Sequence, residues 1–175
     1  MAVKRLNHAV LYVREVDRSV RFYEEALGFK VVMGFPGAAF LKASGSDNDH
    51  DLGLFEVGTQ AGPSQAGRAT VGLYHLAWEV ETLGELAEVA ERLSSMGALV
   101  GASDHGTTKA LYAKDPDDIE FEVSWLVPAE LIDEQTKKVA TGRPLPLDVA
   151  REINQYGADR KGLRTVIYDE VRSPS

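Results

Sequence analysis

Cysteine is absent from the 175-residue sequence, and histidine occurs only four times. A chain without cysteine has no disulfide framework, no thiolate nucleophile, no zinc finger and no iron–sulfur cluster. Any transition-metal site in this protein must therefore use histidine, aspartate or glutamate side chains.

Basic residues are outnumbered as well. Nineteen Lys and Arg against 27 Asp and Glu give a net charge of −8 and a pI near 5.0, which excludes the basic face that nucleic-acid binding needs. No apolar run approaches the ~18 residues of a membrane span. Asn7 and His8 interrupt the segment where a signal peptide would have its apolar core. We therefore expect a cytoplasmic protein that binds neither nucleic acid nor a membrane.

A short motif occurs twice in the sequence. Residues 6–13 are LNHAVLYV and residues 73–80 are LYHLAWEV, so both fit L-x-H-x-x-x-x-V. Both runs are apolar and rich in β-forming residues, which predicts two buried strands. The repeated motif indicates that these strands open two copies of one unit.

A helix and three short strands are predicted after each of these strands. Asp17 is the expected N-cap of the first helix and Gly28 its end; Thr82 and Glu85 form a capping-box pattern for the second, which ends at Gly97. The predicted strands cover residues 29–33, 39–43 and 51–57 in the first copy, and residues 99–102, 110–113 and 119–125 in the second.

This pattern predicts an α+β fold of two tandem βαβββ modules, residues 1–57 and 73–127. Residues 58–72 are rich in Gly, Ser and Gln, which indicates a flexible linker. Residues 128–175 form a predicted helical extension. We expect its helices over 129–140 and 147–156, packed over a module or a neighbouring subunit, with a ragged end after Gly157.

The two repeat histidines, His8 and His75, are candidate metal ligands because they occupy equivalent positions, where pseudo-symmetry can bring them face to face. An ionisable side chain within an apolar strand is costly to bury without a partner, and a shared metal ion supplies one. The last predicted strand offers Glu120 and Glu122, which alternate with apolar residues and point to one face. Two imidazoles and one carboxylate form the facial triad of non-haem Fe(II), although the same set also suits Mn(II), Ni(II) or Zn(II).

At this point the sequence resembles the vicinal oxygen chelate superfamily, which includes glyoxalases, bleomycin-resistance proteins and extradiol dioxygenases. The resemblance rests on the repeated L-x-H-x-x-x-x-V, on a helix ending near LGF (residues 27–29) and on DPDDIEFE (residues 115–122). It implies a curved mixed sheet around a metal cleft. The family's carboxylate ligand follows four residues after a turn glycine, and that turn position is Asp118 here, so the ligand role falls to Glu122. Asp tolerates the left-handed conformation that such a turn requires.

Two further segments resemble small type I extradiol, catechol 2,3-type dioxygenases. They are DHDLGLF (residues 49–55) and DHGTTKALYAKDPD (residues 104–117). This resemblance implies that His50 is the acid–base residue and that His105 and Tyr112 hydrogen-bond to substrate. The implied protein is an Fe(II)-dependent ring-cleavage dioxygenase that takes a catecholic substrate and dioxygen in aromatic compound catabolism.

Two other functions remain open within the same superfamily. A glyoxalase I-type lyase or isomerase would use Glu56 as a fourth ligand, since Glu56 is the first-module counterpart of Glu122. A non-catalytic, resistance-type protein would bind a small molecule in the same cleft. Small members of the superfamily are often dimers, so we expect a homodimer or a higher homo-oligomer.

Overall fold

The computed structural model describes residues 2–3, 5–65 and 69–162 of this α+β protein. Its contacts divide the chain into two compact units. Unit 1 comprises Met1–Gly72 together with Asp115–Ile119, and unit 2 comprises Leu73–Lys114 together with Glu120–Ser175. Residues 66–68 of the predicted linker and residues 163–175 of the predicted extension lie outside the described residues. Within the described ranges, no helix is long and apolar enough to cross a membrane.

Unit 1 has the predicted βαβββ order. Its elements are β1 (Ala9–Val13), α1 (Val16–Leu27), β2 (Lys30–Phe35), β3 (Ala38–Lys42) and β4 (Leu52–Glu56). The sheet order is β1-β4-β3-β2, with β1 parallel to β4 and the other pairs antiparallel. The first strand of the unit therefore pairs with its last.

Helix α1 begins earlier than Asp17 predicted. Its N-cap is Glu15, whose side chain makes no capping bond, and Asp17 lies inside the first turn. The Val16 N–H instead donates to the Glu56 carboxylate at 3.1 Å, so β4 supplies the cap. The predicted end is confirmed, because Gly28 adopts φ 72°, a left-handed conformation that glycine accepts without strain.

The sheet of unit 1 buries one face and exposes the other. Successive residues of a strand point to opposite faces, and on β1 Leu11 and Val13 are buried whereas Val10 and Tyr12 are exposed. Buried side chains of α1 and of the sheet form the core: Phe22, Tyr23, Ala26, Leu41, Leu52 and Leu54. We call the opposite side, which carries Val10, Tyr12, Phe40 and Gly53, the open face of unit 1.

Unit 2 repeats this order and adds the extension. Its elements are β5 (Leu76–Glu79), α2 (Leu83–Ser95), β6 (Leu99–Asp104), β7 (Thr108–Lys114) and β8 (Glu120–Leu126), followed by a 3₁₀ turn (Ala129–Leu131), α3 (Glu134–Thr141), β9 (Leu145–Pro146) and α4 (Val149–Tyr156). The sheet order is β5-β8-β7-β6-β9, and β5 and β8 are parallel.

The capping box of α2 is confirmed. The Thr82 side chain accepts from the Glu85 N–H, and the Glu85 carboxylate accepts from the Thr82 N–H. Gly97 follows the helix with φ 67°. Leu83, Leu86, Val89 and Leu93 are buried at helical spacing on the side that faces Phe121, Val123 and Trp125 of β8.

The extension packs on unit 2, which confirms that it covers a module. The predicted first helix is divided into the 3₁₀ turn and α3, and β9 was not predicted. The expectation of a ragged end directly after Gly157 is wrong for residues 158–162. There the carbonyl of Ala158 accepts from the Gly84 N–H at 2.8 Å, and the carbonyl of Arg160 accepts from Trp125 Nε1 at 3.2 Å. These bonds satisfy a donor at the N-terminus of α2 and the donor of a fully buried indole.

Candidate active site

Both repeat histidines stand immediately before a strand. Strand β1 begins at Ala9 and β5 at Leu76, where pairing with Leu52 and Phe121 begins. His8 is exposed, and the side chain of His75 is 24% exposed. The expectation that both histidines lie within buried strands is therefore wrong, because residues 6–8 and 73–75 precede the paired backbone.

His75 and Glu122 meet on one face of the unit 2 sheet. Glu122 pairs with Ala77 of β5 on one side and with Tyr112 of β7 on the other, so all three share a face. His75 lies two residues before Ala77 and reaches the same side, where its Nε2 is 3.3 Å from Glu122 Oε2. We call this side the open face of unit 2; the opposite side is covered by α2 and α4.

This pair has the chemistry of two metal ligands. Ligand atoms at 2.0–2.2 Å from one metal ion, on adjacent octahedral positions, stand about 3 Å apart. The other ring nitrogen, His75 Nδ1, is buried without a hydrogen-bond partner within the described part of the chain. Residues 2–3, 5–65 and 69–162 contain no cluster of three or more His, Asp or Glu side chains arranged for a metal ion. The third expected ligand, His8, belongs to unit 1.

Tyr112 and His105 form a second pair on unit 2. His105 Nε2 and the Tyr112 hydroxyl are 2.9 Å apart, which is a hydrogen bond. Burial and the neighbouring Glu122 carboxylate raise the pKa of Tyr112 to about 12, so the phenol stays protonated at neutral pH. When His105 carries its proton on Nε2, it donates to the Tyr112 oxygen, and the phenol O–H is then directed at the Glu122 carboxylate, whose hydrogen bond to Tyr112 contributes to the raised pKa.

His8 and His50 lie together in unit 1. Their ring centroids are 4.5 Å apart, and the edge of Phe40 contacts His50 at 5.1 Å. His8 Nδ1 is 2.7 Å from the Asn7 side-chain oxygen, and His50 Nδ1 is 3.2 Å from the Asp49 carboxylate. Both acceptors favour a proton on Nδ1, which leaves each Nε2 lone pair available to bind a metal ion or to accept a proton.

The loop before β4 holds His50 through a network that sequence reasoning missed. The carboxylate of Asp51 accepts from Ser46 Oγ at 2.6 Å, Asn48 Nδ2 at 2.8 Å and the Ala43 N–H at 2.9 Å. A loop dense in Asp, Asn and Ser was the available signal, since these side chains bond to nearby backbone. The network fixes Asp51, directly after His50, and Asn48, two residues before it.

Aromatic rings extend the open face of unit 1. Phe40 lies 6.1 Å from Phe35 and 5.8 Å from Phe55 between ring centroids. Gly53 lies beneath Phe40, because an added Cβ there would stand 3.3 Å from a Val10 methyl and 3.5 Å from the Phe40 ring. A planar apolar ligand would find matching ring surfaces here.

The Asp115–Asp118 turn leads directly into β8, and it has the shape that the Asp118 substitution required. Asp118 adopts φ 65°, as expected for an aspartate that replaces glycine. The Asp115 carboxylate accepts from the backbone of Asp117 and Ile119 at 2.8 and 2.9 Å, which closes the turn. Burial nevertheless raises the pKa of Asp115 above its ordinary value.

Asp117 anchors this turn through two arginines, Arg18 in the first turn of α1 and Arg14 just before that helix. Its carboxylate lies 2.8 Å from Arg14 Nη1 and 2.5 Å from Arg18 Nη2, and it also accepts from the Arg14 N–H at 2.8 Å. Burial alone would raise the pKa of Asp117, but the hydrogen bonds from Arg14 and the charges of both arginines outweigh it and lower that pKa. No local sequence pattern links Arg14 and Arg18 to Asp117, which lies 103 and 99 residues further along the chain.

Two βαβββ units, one with two neighbouring imidazoles and the other with an imidazole beside a carboxylate, define a class of α+β protein with groups suited to binding a metal ion. The family model of the Glyoxalase/Bleomycin resistance protein/Dioxygenase superfamily matches residues 5–123. The chain therefore belongs to this superfamily, whose members include metal-dependent enzymes, dioxygenases among them.

Two curated relatives are dioxygenases. The catechol-2,3-dioxygenase of Bacillus subtilis (strain 168) is 33% identical over 112 residues, which are 64% of this chain and 38% of the relative. The biphenyl-2,3-diol 1,2-dioxygenase 3 of Rhodococcus globerulus is 34% identical over 119 residues, 65% of this chain and 58% of the relative. The matched part of the chain thus spans 38% and 58% of the length of these two relatives. A solved glyoxylase/bleomycin resistance protein/dioxygenase domain from Frankia sp. EAN1pec superposes with a TM-score of 0.61 at 26% identity, covering 73% of this chain and 96% of that one.

Proposed function

We propose that this protein is an Fe(II)-dependent extradiol ring-cleavage dioxygenase that acts on a catecholic substrate. The observation that carries the proposal is the cluster on the open face of unit 2, where an imidazole and a carboxylate stand 3.3 Å apart next to a protonated phenol. Both curated relatives reported above are named for aromatic diols, which supports a catechol as substrate.

In this proposal His8, His75 and Glu122 hold the metal ion. Two neutral imidazoles and one carboxylate match the ligand set of non-haem Fe(II) oxygenases. The bound ion would lower the pKa of a coordinated hydroxyl and leave positions for small ligands. Mn(II), Ni(II) and Zn(II) fit the same donor atoms, so the identity of the metal is part of the test.

The remaining residues handle the substrate and its protons. His50, with its Nδ1–H directed at Asp49, has Nε2 available to accept a proton from the substrate and to return it. Tyr112 donates a hydrogen bond to a substrate oxygen, and His105 orients Tyr112. The rings of Phe35, Phe40 and Phe55 offer contact to the aromatic part of the substrate.

The structure favours this ligand set over one that includes Glu56. The carboxylate of Glu56 already accepts from the Val16 N–H at the start of α1. Glu56 also has the same strand alternation as the buried Leu52 and Leu54, so it lies on the side of β4 opposite the open face of unit 1. The residue of β4 that corresponds in register to Glu122 is Gly53, so the expectation that Glu56 is the first-module counterpart of Glu122 is wrong.

The test is anaerobic reconstitution with Fe(II), followed by catechol or 2,3-dihydroxybiphenyl in air. We expect a yellow ring-opened product. Glu122→Gln should lose both bound iron and turnover, whereas Glu120→Gln, two residues earlier on the same strand, should keep both. Wild-type protein that forms no ring-opened product, but converts a hemithioacetal with Ni(II) or Zn(II), would overturn the proposal in favour of a glyoxalase-type enzyme.

A further inference from the structure

The extension after β8 lies beyond the residues that the superfamily model matches, which end at position 123. One of its residues, Glu152 of α4, is nevertheless among the most deeply buried charged groups described, at 2% exposure. Few glutamates are buried this completely unless a partner neutralises them. The partners of Glu152 therefore show what the extension does.

Glu152 reaches the β6–β7 turn through a buried lysine. Lys109 Nζ lies 3.1 Å from the Glu152 carboxylate and 2.8 Å from the Asp104 carboxylate. The other oxygen of Asp104 accepts from the Gly106 N–H at 2.7 Å. The chain of contacts thus ends on the two residues that flank His105.

The backbone of helix α3 packs directly against the same β6–β7 turn. Gly106 adopts φ +78°, and an added Cβ would overlap the Thr136 carbonyl oxygen and stand 2.7 Å from the Ala140 nitrogen. Only glycine allows this close approach. His105 is thus held on one side by the Asp104 network and on the other by α3, while its imidazole bonds to Tyr112.

We infer that the extension sets the position of the His105–Tyr112 pair, and that Glu152 is a positioning residue acting through Lys109 and Asp104. Its consequence for catalysis rests on the proposed function. The part of the inference that concerns the position of His105 is independent of the proposed function, because the NMR signal of its imidazole changes with its surroundings whether or not the protein cleaves a ring.

The first test compares Glu152→Gln with Arg151→Gln. The first variant keeps the size of the side chain and removes the buried charge; the second removes only the exposed arginine that contacts Glu152 at 3.2 Å. Imidazole cross-peaks are recorded by NMR at one pH, and His105 is assigned from its absence in His105→Asn. We expect the His105 cross-peak to move in Glu152→Gln and to stay in place in Arg151→Gln.

A pair of glycine variants tests the inference without changing a charge. Gly106→Ala and Gly97→Ala place the same side chain on left-handed backbone, at φ +78° and +67°, but only the first meets another helix. We expect the His105 cross-peak to move in Gly106→Ala only. In the reconstituted enzyme, Glu152→Gln and Gly106→Ala should raise KM about three- to tenfold with kcat nearly unchanged, which is the signature of lost substrate binding.

An unmoved His105 cross-peak in either folded variant, Glu152→Gln or Gly106→Ala, would overturn the inference. So would failure of both variants to fold, because the contacts would then serve stability alone. Absence of ring cleavage in the wild type would refute the proposed function, while the imidazole comparison would still decide this inference.

Discussion

Tyr112 lies between Glu122 and His105 on the open face of unit 2. It faces Glu122 across the β7–β8 pair, and its hydroxyl contacts His105 at 2.9 Å. Because its pKa is about 12, it is a hydrogen-bond donor throughout the physiological range. A phenol held in this way can orient a substrate oxygen but is unsuited to act as a base at neutral pH.

Tyr112→Phe should lower kcat/KM for ring cleavage about tenfold, since a hydrogen bond contributes about 0.5–1.5 kcal/mol and 1.4 kcal/mol corresponds to tenfold. Bound iron should remain at the wild-type level, because the ligands are other residues. Steady-state kinetics and metal analysis check both statements. Tyr156→Phe is the control, since Tyr156 packs near Trp125 on the side of the unit 2 sheet opposite the open face; equal losses in the two variants would contradict the assigned role.

Lys109 is held by two buried carboxylates, and this makes its removal costly. Lys109→Met would leave Asp104 and Glu152 buried without their shared cation, and an unpaired buried charge costs about 3–5 kcal/mol. Urea unfolding should show that loss in the free energy of unfolding. Lys137→Met, which breaks an exposed contact to Glu134, should cost at most about 1 kcal/mol. Similar midpoints for the two variants would argue against a charged network.

The sequence predicted the position of a residue where a local pattern determines it. It did not predict contacts whose two partners are far apart along the chain. Glu120 and Glu122 alternate with the buried Phe121 and Val123, as the strand pattern predicted. Asp118 is left-handed, as its place in the turn required. No local pattern links Arg14 to Asp117 or Glu152 to Lys109, because such pairs depend on tertiary packing. The burial expected for His8 failed for a related reason, since strand pairing begins only after it.

At the scale of elements, α1 and the turn before β8 are joined by one carboxylate. Asp117 neutralises Arg14 and Arg18 while only 6% of its own side chain is exposed. The strands and helices of the two βαβββ repeats were predictable from apolar periodicity, and the glycines after α1 and α2 indicated where these helices end. The N-terminus of α1 was not, because its cap comes from Glu56 on another strand.

Asp117→Asn should destabilise the protein by about 2 kcal/mol at neutral pH, in the range of hydrogen bonds to charged groups. The pKa of Asp117 is lowered by folding, so its stabilising effect is complete above the unfolded value of about 3.9 and disappears as the pH falls through the folded pKa. The unfolding curves of wild type and variant should therefore differ at pH 7 and converge as the pH is lowered below 4.

The exposed Asp47, on the loop before β4, provides the matched comparison for this measurement. Asp47→Asn should leave the free energy of unfolding within about 0.5 kcal/mol of the wild type, as most surface substitutions do. A difference between wild type and Asp117→Asn that persists unchanged into acid would show that the carboxylate charge is not the cause.

At the scale of the whole molecule, the extension packs over the core of unit 2. Trp125 is fully buried, its ring lies 6.4 Å from that of Tyr156, and its indole N–H donates to the Arg160 carbonyl. The sequence indicated helices here but not their target, because the buried lysine and the added strand β9 are visible only in three dimensions.

Truncation after Val127 should therefore unfold or aggregate the protein, or lower Tm by about 10 °C or more. This figure follows because the truncation should remove several kcal/mol from the free energy of unfolding, and each kcal/mol corresponds to about 2–4 °C in Tm for a chain of this size. Differential scanning calorimetry measures it. A chain ending at Gly162, which keeps every described contact, should retain the wild-type Tm; a stable Val127 truncation would mean that the extension is a dispensable attachment.

Unit 1 is not one continuous stretch of chain, because Asp115–Ile119 belongs to it. This has a consequence for biosynthesis. Arg14 and Asp117 are 103 residues apart, and at 5–20 residues per second a ribosome takes roughly 5–20 s to synthesise that stretch. During this interval the nascent N-terminal unit lacks the turn that completes it, so Arg14 and Arg18 do not yet have the Asp117 carboxylate as a partner. The N-terminal half can begin folding first, yet it is completed only after most of the second half has been made.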